Sequence, residues 1–94
     1  MEHNLELDWF EPKRGNPYVV EASYDGLRVR VFWDSKAVDD SKVQPGAFRF
    51  RVYGVGDSEQ GWFERLDAQV AAESAVRAVA ERLRDNAQKQ EATQ

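Results

Sequence analysis

Cysteine is absent from this sequence, and histidine occurs once, at His3. Without cysteine the chain can form neither a disulfide nor a thiolate metal site, which is typical of proteins from a reducing compartment. Nucleophilic catalysis needs an activated side chain beside a base, and a single histidine so close to the N-terminus is a poor candidate for that base. We therefore predict no catalytic residue, no metal site and no cofactor, and we expect that the protein is not an enzyme.

Long apolar runs are also missing. No stretch approaches the roughly 20 apolar residues that a transmembrane helix needs. The N-terminal sequence MEHNLELDWF carries acidic side chains early and contains no apolar core of the kind found in signal peptides. These features predict a cytoplasmic protein without a membrane partner.

An excess of basic residues is missing as well, because 13 Lys and Arg residues stand against 17 Asp and Glu residues and give a net charge of -4. General nucleic-acid-binding proteins are usually basic, so such a role would have to depend on a local patch. The chain does have the composition of a folded domain, with 41% hydrophobic and 12% aromatic residues. We predict a single α+β domain over residues 1–90 and a frayed polar tail at 91–94.

The clearest local signal is the dipeptide Asp25-Gly26, which separates the alternating runs PYVVEASY and LRVRVFWD. Asp-Gly favours a two-residue type I′ hairpin turn, in which both central residues need a positive φ. The resulting register places Glu21 opposite Arg30 and gathers the apolar side chains of both runs on one face. The apolar pairs are Tyr24 with Leu27, Ala22 with Val29, Val20 with Val31, and Tyr18 with Trp33.

Three further segments alternate in the manner of strands: NLELDWF at 4–10, AFRFRVYG at 47–54 and WFERL at 62–66. The first would direct Leu5, Leu7 and Trp9 inward, and the second Phe48, Phe50 and Val52. The facing of the third is ambiguous. The intervening sequence GVGDSEQG predicts a glycine-rich turn, and the hairpin register predicts that Trp33 is buried.

The C-terminal third predicts one long helix from Ala68 to about Lys89, with Asp67 as its N-cap. Its inner face would consist of small and aliphatic residues at helical spacing, namely Ala72, Ala75, Val76, Val79, Ala80 and Leu83. Its outer face would be charged, with Glu73, Arg77, Glu81 and Arg84, and Glu73 would pair with Arg77 one turn later.

These elements predict an α+β fold, an antiparallel β-meander of four to five strands with one long C-terminal helix packed on one face. A single helix covers only one face of a sheet, so the other face must contact solvent or another molecule. Alternation places eight residues on that second face: Val19, Glu21, Arg28, Arg30, Phe32, Arg49, Arg51 and Tyr53. Their pattern of an apolar centre, formed by Val19, Phe32 and Tyr53, with a charged rim is typical of protein interfaces.

We therefore expect a small acidic binding module whose partner is another protein or a second copy, such as a phage or bacterial accessory or inhibitor protein. The alternative is a nucleic-acid-binding sheet, in which the four arginines bind phosphates and Phe32 and Tyr53 stack on bases. An ordinary solvated sheet face explains the same residues. Asp39 and Asp40 could support a carboxylate enzyme only from a concave pocket.

The hairpin YDGLRVRVFWDSK, followed later by a helix, resembles the small sheet-plus-helix DNA-binding modules of phage integrases over about one hairpin. The negative net charge of the chain and the acidic residues at positions 34, 39 and 40 argue against DNA binding. No family is assigned from this resemblance.

Overall fold

The computed structural model describes residues 5–37 and 45–92, without the side chains of residues 89–92. Within these ranges four antiparallel strands form one sheet in the order β1-β2-β3-β4. Their bounds are Val19–Tyr24 for β1, Leu27–Asp34 for β2, Ala47–Val52 for β3 and Gly56–Asp57 for β4. The same described residues contain a single helix, α1, which runs from Arg65 to Ala92 and packs on one face of the sheet. The predicted fold class is confirmed.

Predictions on His3, Asp39 and Asp40 fall outside the described residues. Whether residues 91–94 fray also stays a prediction. In the part of the chain that is described, no helix is both long enough and apolar enough to cross a bilayer.

The β1–β2 hairpin turns at Asp25-Gly26, where both residues have positive φ, 54° and 82°. Only glycine adopts this conformation freely, and Asp is among the few other residues that tolerate it. The turn sets the predicted register, with Tyr24 opposite Leu27 and Glu21 opposite Arg30.

The core lies between the sheet and α1 because alternate residues of each strand point towards the helix. Its buried members are Val20, Ala22, Val29, Val31, Phe48, Val52, Ala68, Ala72 and Val76. A buried valine contributes roughly 1.5–3 kcal/mol. The fully buried Ala68 and Ala72 keep the helix surface flat, so that its backbone can approach the sheet closely.

The first predicted strand does not form in the described residues 5–10. Instead this segment, here called the N-terminal strap, has one bridge to β1, between Phe10 and Glu21. Its earlier backbone N–H groups donate to the carboxylate of Glu73 on α1. A strand ladder cannot form where those donors are already used. The prediction that Glu73 lies on the outer face and pairs with Arg77 is therefore wrong, and Arg77 bonds to Glu6 instead.

The predicted strand at 62–66 is also reduced to one bridge, between Trp62 and Phe48. The helix begins at Arg65, so Asp67 lies in its first turn and is not the N-cap. An acidic side chain in the first turn interacts favourably with the helix dipole. The fourth strand forms instead at Gly56–Asp57, inside the segment predicted as a turn.

Trp33 lies on the predicted side of the sheet but is 37% exposed, so the prediction of a buried side chain is wrong. It occupies the end of β2, where its ring packs edge-on against Tyr18 and Phe48 with centroid distances of 6.4 and 5.1 Å. These contacts replace contacts with the helix.

Leu83 was predicted to face the core but is 53% exposed. The helix has 28 residues and is about 42 Å long at ~1.5 Å per residue. The longest described strand, β2, has 8 residues and spans about 26 Å at ~3.3 Å per residue. The C-terminal part of α1 therefore extends past the sheet, and every described side chain from Glu81 onward is exposed.

Gly46 provides a test of the packing around Trp33. Its φ is +124°, and an added Cβ would lie 2.6 Å from Cζ2 of the Trp33 ring. Gly46→Ala is expected to lower the free energy of unfolding by about 1–2 kcal/mol, because it adds backbone strain and displaces the ring. Urea unfolding and the indole NMR signal of Trp33 would measure both effects.

Gly15→Ala is the matched control for this substitution. Gly15 has a φ of +86°, but no atom lies within 4 Å of its added Cβ. The Gly15→Ala variant should therefore lose stability through backbone strain alone, and the NMR signal of Trp33 should not shift. Equal losses and an unmoved Trp33 signal in both variants would contradict the packing described here.

Candidate functional site

All eight residues predicted for the second sheet face lie together on the side of the sheet away from α1. We call this surface the open face and define it by Val19, Glu21, Arg28, Arg30, Phe32, Arg49, Arg51 and Tyr53. Strand pairing aligns one row straight across the four strands, in the order Glu21, Arg30, Arg51 and Asp57. Two cations therefore stand opposite each other at the centre of the row, with a carboxylate at each end.

Glu21 is the buried anchor of this row, with only 1% of the residue exposed. Nη2 of Arg28 donates to its Oε1 at 2.6 Å, and Nε of Arg30 donates to its Oε2 at 2.8 Å. Nη2 of Arg30 donates to the same Oε2. Burial raises the pKa of the carboxyl, but hydrogen bonds and charge from Arg28 and Arg30 outweigh it and lower the pKa below its ordinary value.

Arg51 forms the second ion pair of the row with Asp57. Its Nε donates to Oδ1 at 2.5 Å and its Nη2 to Oδ2 at 3.2 Å, a two-point contact with the carboxylate. The hydrogen bond from Arg51 lowers the pKa of Asp57. The Arg51 guanidinium also lies over the ring of Phe32, 5.6 Å from its centroid.

Arg49 has a structural role that the sequence did not indicate. Its Nε and Nη2 donate to the carbonyl oxygen of Ser58 at 2.9 and 2.6 Å, and its Nη1 donates to Asp34 at 3.0 Å. Asp34 also accepts the backbone N–H of Lys36, and this bond and the one from Arg49 lower its pKa. Since all three nitrogens of Arg49 are used, it fixes the segment after β4 to β3.

Tyr53 is the aromatic centre at the other end of the open face. The guanidinium carbon of Arg28 lies 4.9 Å from its ring centroid and that of Arg30 lies 5.8 Å away. Such cation–π contacts are worth roughly 0.5–1 kcal/mol at exposed sites. They hold the two guanidinium groups over the ring.

The ion pairs of the open face are asymmetric in exposure. The side chains of Arg28 and Arg30 are 60% and 34% exposed, whereas that of Glu21 is 2% exposed. Arg51 is likewise more exposed than Asp57, while Arg49 and Asp34 are nearly equal. Most of the carboxylates therefore lie closer to the sheet than the guanidinium groups do. The guanidinium groups form most of the charged surface that solvent contacts.

Three residues bound by these arginines are absent from the eight predicted ones: Asp34, Asp57 and Ser58. Asp57 and Ser58 escaped prediction because the sequence around them resembles a turn. The only available signal was that a tight hairpin after β3 would bring Asp57 opposite Arg51. A strand of two residues is too short to show alternation.

A second surface, near the start of α1, carries most of the large exposed apolar side chains described. They are Phe10, Tyr18, Trp33, Phe63 and Leu66. A groove of about 810 Å³ lies there between the N-terminal strap and the helix. We call this groove the strap groove. Because its lining includes both Glu11 and Arg65, the charge of the groove does not favour one class of partner.

Comparisons with known proteins give no relative from which a function could be inferred. No family model matches the chain, and neither a curated protein nor a solved structure is significantly similar to it.

Proposed function

We propose that this protein is a cytoplasmic, non-enzymatic binding module that recognises another protein through the open face. The observation that carries the proposal is the ordered arrangement of arginines over aromatic rings. Arg28 and Arg30 lie over Tyr53, and Arg51 lies over Phe32. Arginine and tyrosine are enriched among residues that dominate binding energy at protein interfaces.

Preorganisation strengthens this argument. A free arginine side chain loses considerable conformational entropy when a partner immobilises it. Here Arg28, Arg30 and Arg51 are already held by carboxylates and aromatic rings on the sheet. A partner would therefore bind this surface at a reduced entropic penalty.

The same geometry weighs against nucleic acid as the partner. A base could stack on Phe32 or Tyr53 only after displacing the guanidinium groups that lie over these rings. In addition, four arginines of the open face are accompanied by the carboxylates of Glu21, Asp34 and Asp57, and the whole chain has a net charge of -4. A long nucleic acid would interact with the charge of the whole acidic chain and not only with the arginines of the open face, so it would meet little net attraction.

The carboxylates also weigh against acid–base catalysis at this surface. A general acid at neutral pH needs a raised pKa. The pKa values of Glu21, Asp34 and Asp57 are all lowered, because each carboxylate accepts hydrogen bonds from arginine. These groups therefore act as fixed anions that position the arginines.

Site-specific photocrosslinking in the cells that make the protein would test the proposal. Ser23 is exposed and lies opposite Arg28 in the sheet register, so a benzophenone side chain there would sample the open face without breaking an ion pair. We expect one discrete crosslinked product, formed either with another protein or with a second copy of the chain, and loss of that product when Arg51→Glu is added.

A benzophenone at Leu66, which lines the strap groove, is the matched position. Protein crosslinks from Leu66 but none from Ser23 would overturn the proposal in favour of the groove. Crosslinks from Ser23 that disappear with nuclease would overturn it in favour of the nucleic-acid alternative.

A further inference from the structure

Arg28, Arg30 and Arg51 of the open face retain hydrogen-bond donors that no carboxylate among the described residues uses. A guanidinium group has five N–H donors and no acceptor. The contacts with carboxylates use Nη2 of Arg28, Nε and Nη2 of Arg30, and Nε and Nη2 of Arg51. Among the described residues, Nη1 of each of the three arginines has no carboxylate partner. This outer surface therefore offers N–H donors in excess of acceptors.

The central pair of cations adds an electrostatic reason to bind an anion. Arg30 and Arg51 are direct cross-strand partners, and like charges in this position repel. Glu21 and Asp57 relieve the repulsion only from the outer strands. An anion placed above β2 and β3 would contact both guanidinium groups and relieve it from the open side.

From this arrangement we infer that the protein partner presents acidic side chains, whose carboxylates bind Arg28, Arg30 and Arg51. This inference rests on the proposed function and adds the chemistry of the partner. Carboxylates match the planar donor pair of a guanidinium group. The carboxylates of Glu21 and Asp57 already bind these arginines from the sheet itself. The acidic partner would supply carboxylate acceptors on the solvent side of the guanidinium groups.

Spacing favours acids at alternate positions of an extended segment. Arg28 and Arg30 are two residues apart on β2, about 6.6 Å at ~3.3 Å per residue. Alternate side chains of an extended peptide recur at the same distance. Such a segment could place one carboxylate at Arg28 and the next at Arg30, where Arg51 lies directly across on β3. Its intervening side chains would point away from the sheet.

A peptide titration followed by NMR would test this inference. The probe is an eight-residue peptide of alternating threonine and glutamate, and its control has glutamine in place of glutamate. We expect saturable shifts of the Nε–Hε signals of Arg28, Arg30 and Arg51, with binding at least about tenfold tighter than that of the control and weakened by salt. The Arg49 Nε–Hε signal is an internal reference and should remain unmoved, because its nitrogens are engaged by Ser58 and Asp34.

Two substitutions locate the effect. Arg51→Gln should weaken binding of the glutamate peptide by about tenfold. Arg82→Gln makes the same change of charge on the exposed part of α1 and should leave binding unchanged. Circular dichroism would confirm that both variants fold.

The possible failures are distinguishable. If the glutamine peptide binds equally well, or if the shifts map outside the open face, the inference is overturned. It is also overturned if single-stranded DNA displaces the peptide and binds more tightly through the same arginines. A protein crosslink from Ser23 without peptide binding would leave the proposed function standing and remove only the acidic partner. No protein crosslink from Ser23 would remove both.

Discussion

Replacing Glu73 with glutamine is expected to lower the free energy of unfolding by about 2–3 kcal/mol, because hydrogen bonds to a charged acceptor are the strong ones. Glu73 is 4% exposed. Its carboxylate accepts the backbone N–H groups of Glu6 and Leu7 and the indole N–H of Trp9, at 2.8–3.1 Å. A glutamine would retain one acceptor oxygen but would direct an NH₂ group at donors.

Urea unfolding would measure this loss, with Glu81→Gln as the control. Glu81 lies on the same helix, is exposed, and undergoes the same change in charge, so its substitution should stay within about 0.5 kcal/mol of the original protein. Hydrogen exchange should accelerate at the amides of Glu6 and Leu7 in the Glu73 variant. Equal stabilities of the two variants would contradict the anchoring role of Glu73.

The pH dependence of the free energy of unfolding provides a second test of the role of Glu73. Burial raises the pKa of Glu73, but the hydrogen bonds from Leu7, Trp9 and Glu6 and the charge of Arg77 outweigh it and hold the pKa below its ordinary value of 4.5. A lowered pKa in the folded state means that the stabilisation is complete above the unfolded pKa and is lost as pH falls through the folded pKa. Below about pH 4.5 the original protein should lose stability more steeply than Glu73→Gln.

The β1–β2 hairpin was predictable because its determinants are local. Asp25-Gly26 selects a turn with positive φ at both positions, and the turn fixes every pair up to Val19 with Phe32. The shared face of the eight binding candidates follows from the same alternation. Their proposed role in binding does not follow from it and stays a prediction.

The position of Glu73 was not predictable from helical periodicity. A charged residue is normally assigned to the solvent face of a helix, and burial becomes favourable only when donors satisfy the carboxylate. Those donors come from Glu6 and Leu7, more than 60 residues away in sequence. A local sequence pattern carries no information about a contact between such distant residues. For this reason the first strand and the outward position of Glu73 were predicted wrongly.

The ends of the sheet were poorly predicted for a different reason. Trp33 has the correct alternation, yet it lies at the end of β2 and remains 37% exposed. Leu83 has the correct helical spacing, yet α1 extends past the sheet at that point. Periodicity gives the direction of a side chain, whereas burial also depends on the relative lengths of the elements.

Glu21→Gln is expected to destabilise the protein by about 2–3 kcal/mol, because it weakens several charge-assisted hydrogen bonds at one buried acceptor. Glu21 is 1% exposed and binds both Arg28 and Arg30. Its loss also leaves Arg30 facing Arg51 across the strands without the neighbouring carboxylate. Urea unfolding at low ionic strength would measure the full effect.

Asp57→Asn is the matched control, because it removes the carboxylate at the opposite end of the same row. The Asp57 side chain is 28% exposed and its partner Arg51 is 45% exposed. Exposed pairs contribute at most about 1 kcal/mol, since water and salt screen them. The stability difference between the two variants therefore measures the combined effect of burial and of the second arginine that Glu21 binds.

The salt dependence of stability separates the two causes of destabilisation in Glu21→Gln, which are the lost hydrogen bonds and the repulsion between Arg30 and Arg51. Repulsion between Arg30 and Arg51 should be screened as sodium chloride is raised, whereas the lost hydrogen bonds should not be restored. The destabilisation by Glu21→Gln should thus decrease with salt but stay above that of Asp57→Asn. Adding Arg30→Gln to Glu21→Gln should recover part of the stability at low salt, because it removes one of the opposed charges. If Glu21→Gln proves no more harmful than Asp57→Asn at every salt concentration, Glu21 does not anchor the row, and the ordered arginine surface proposed for binding loses its physical basis.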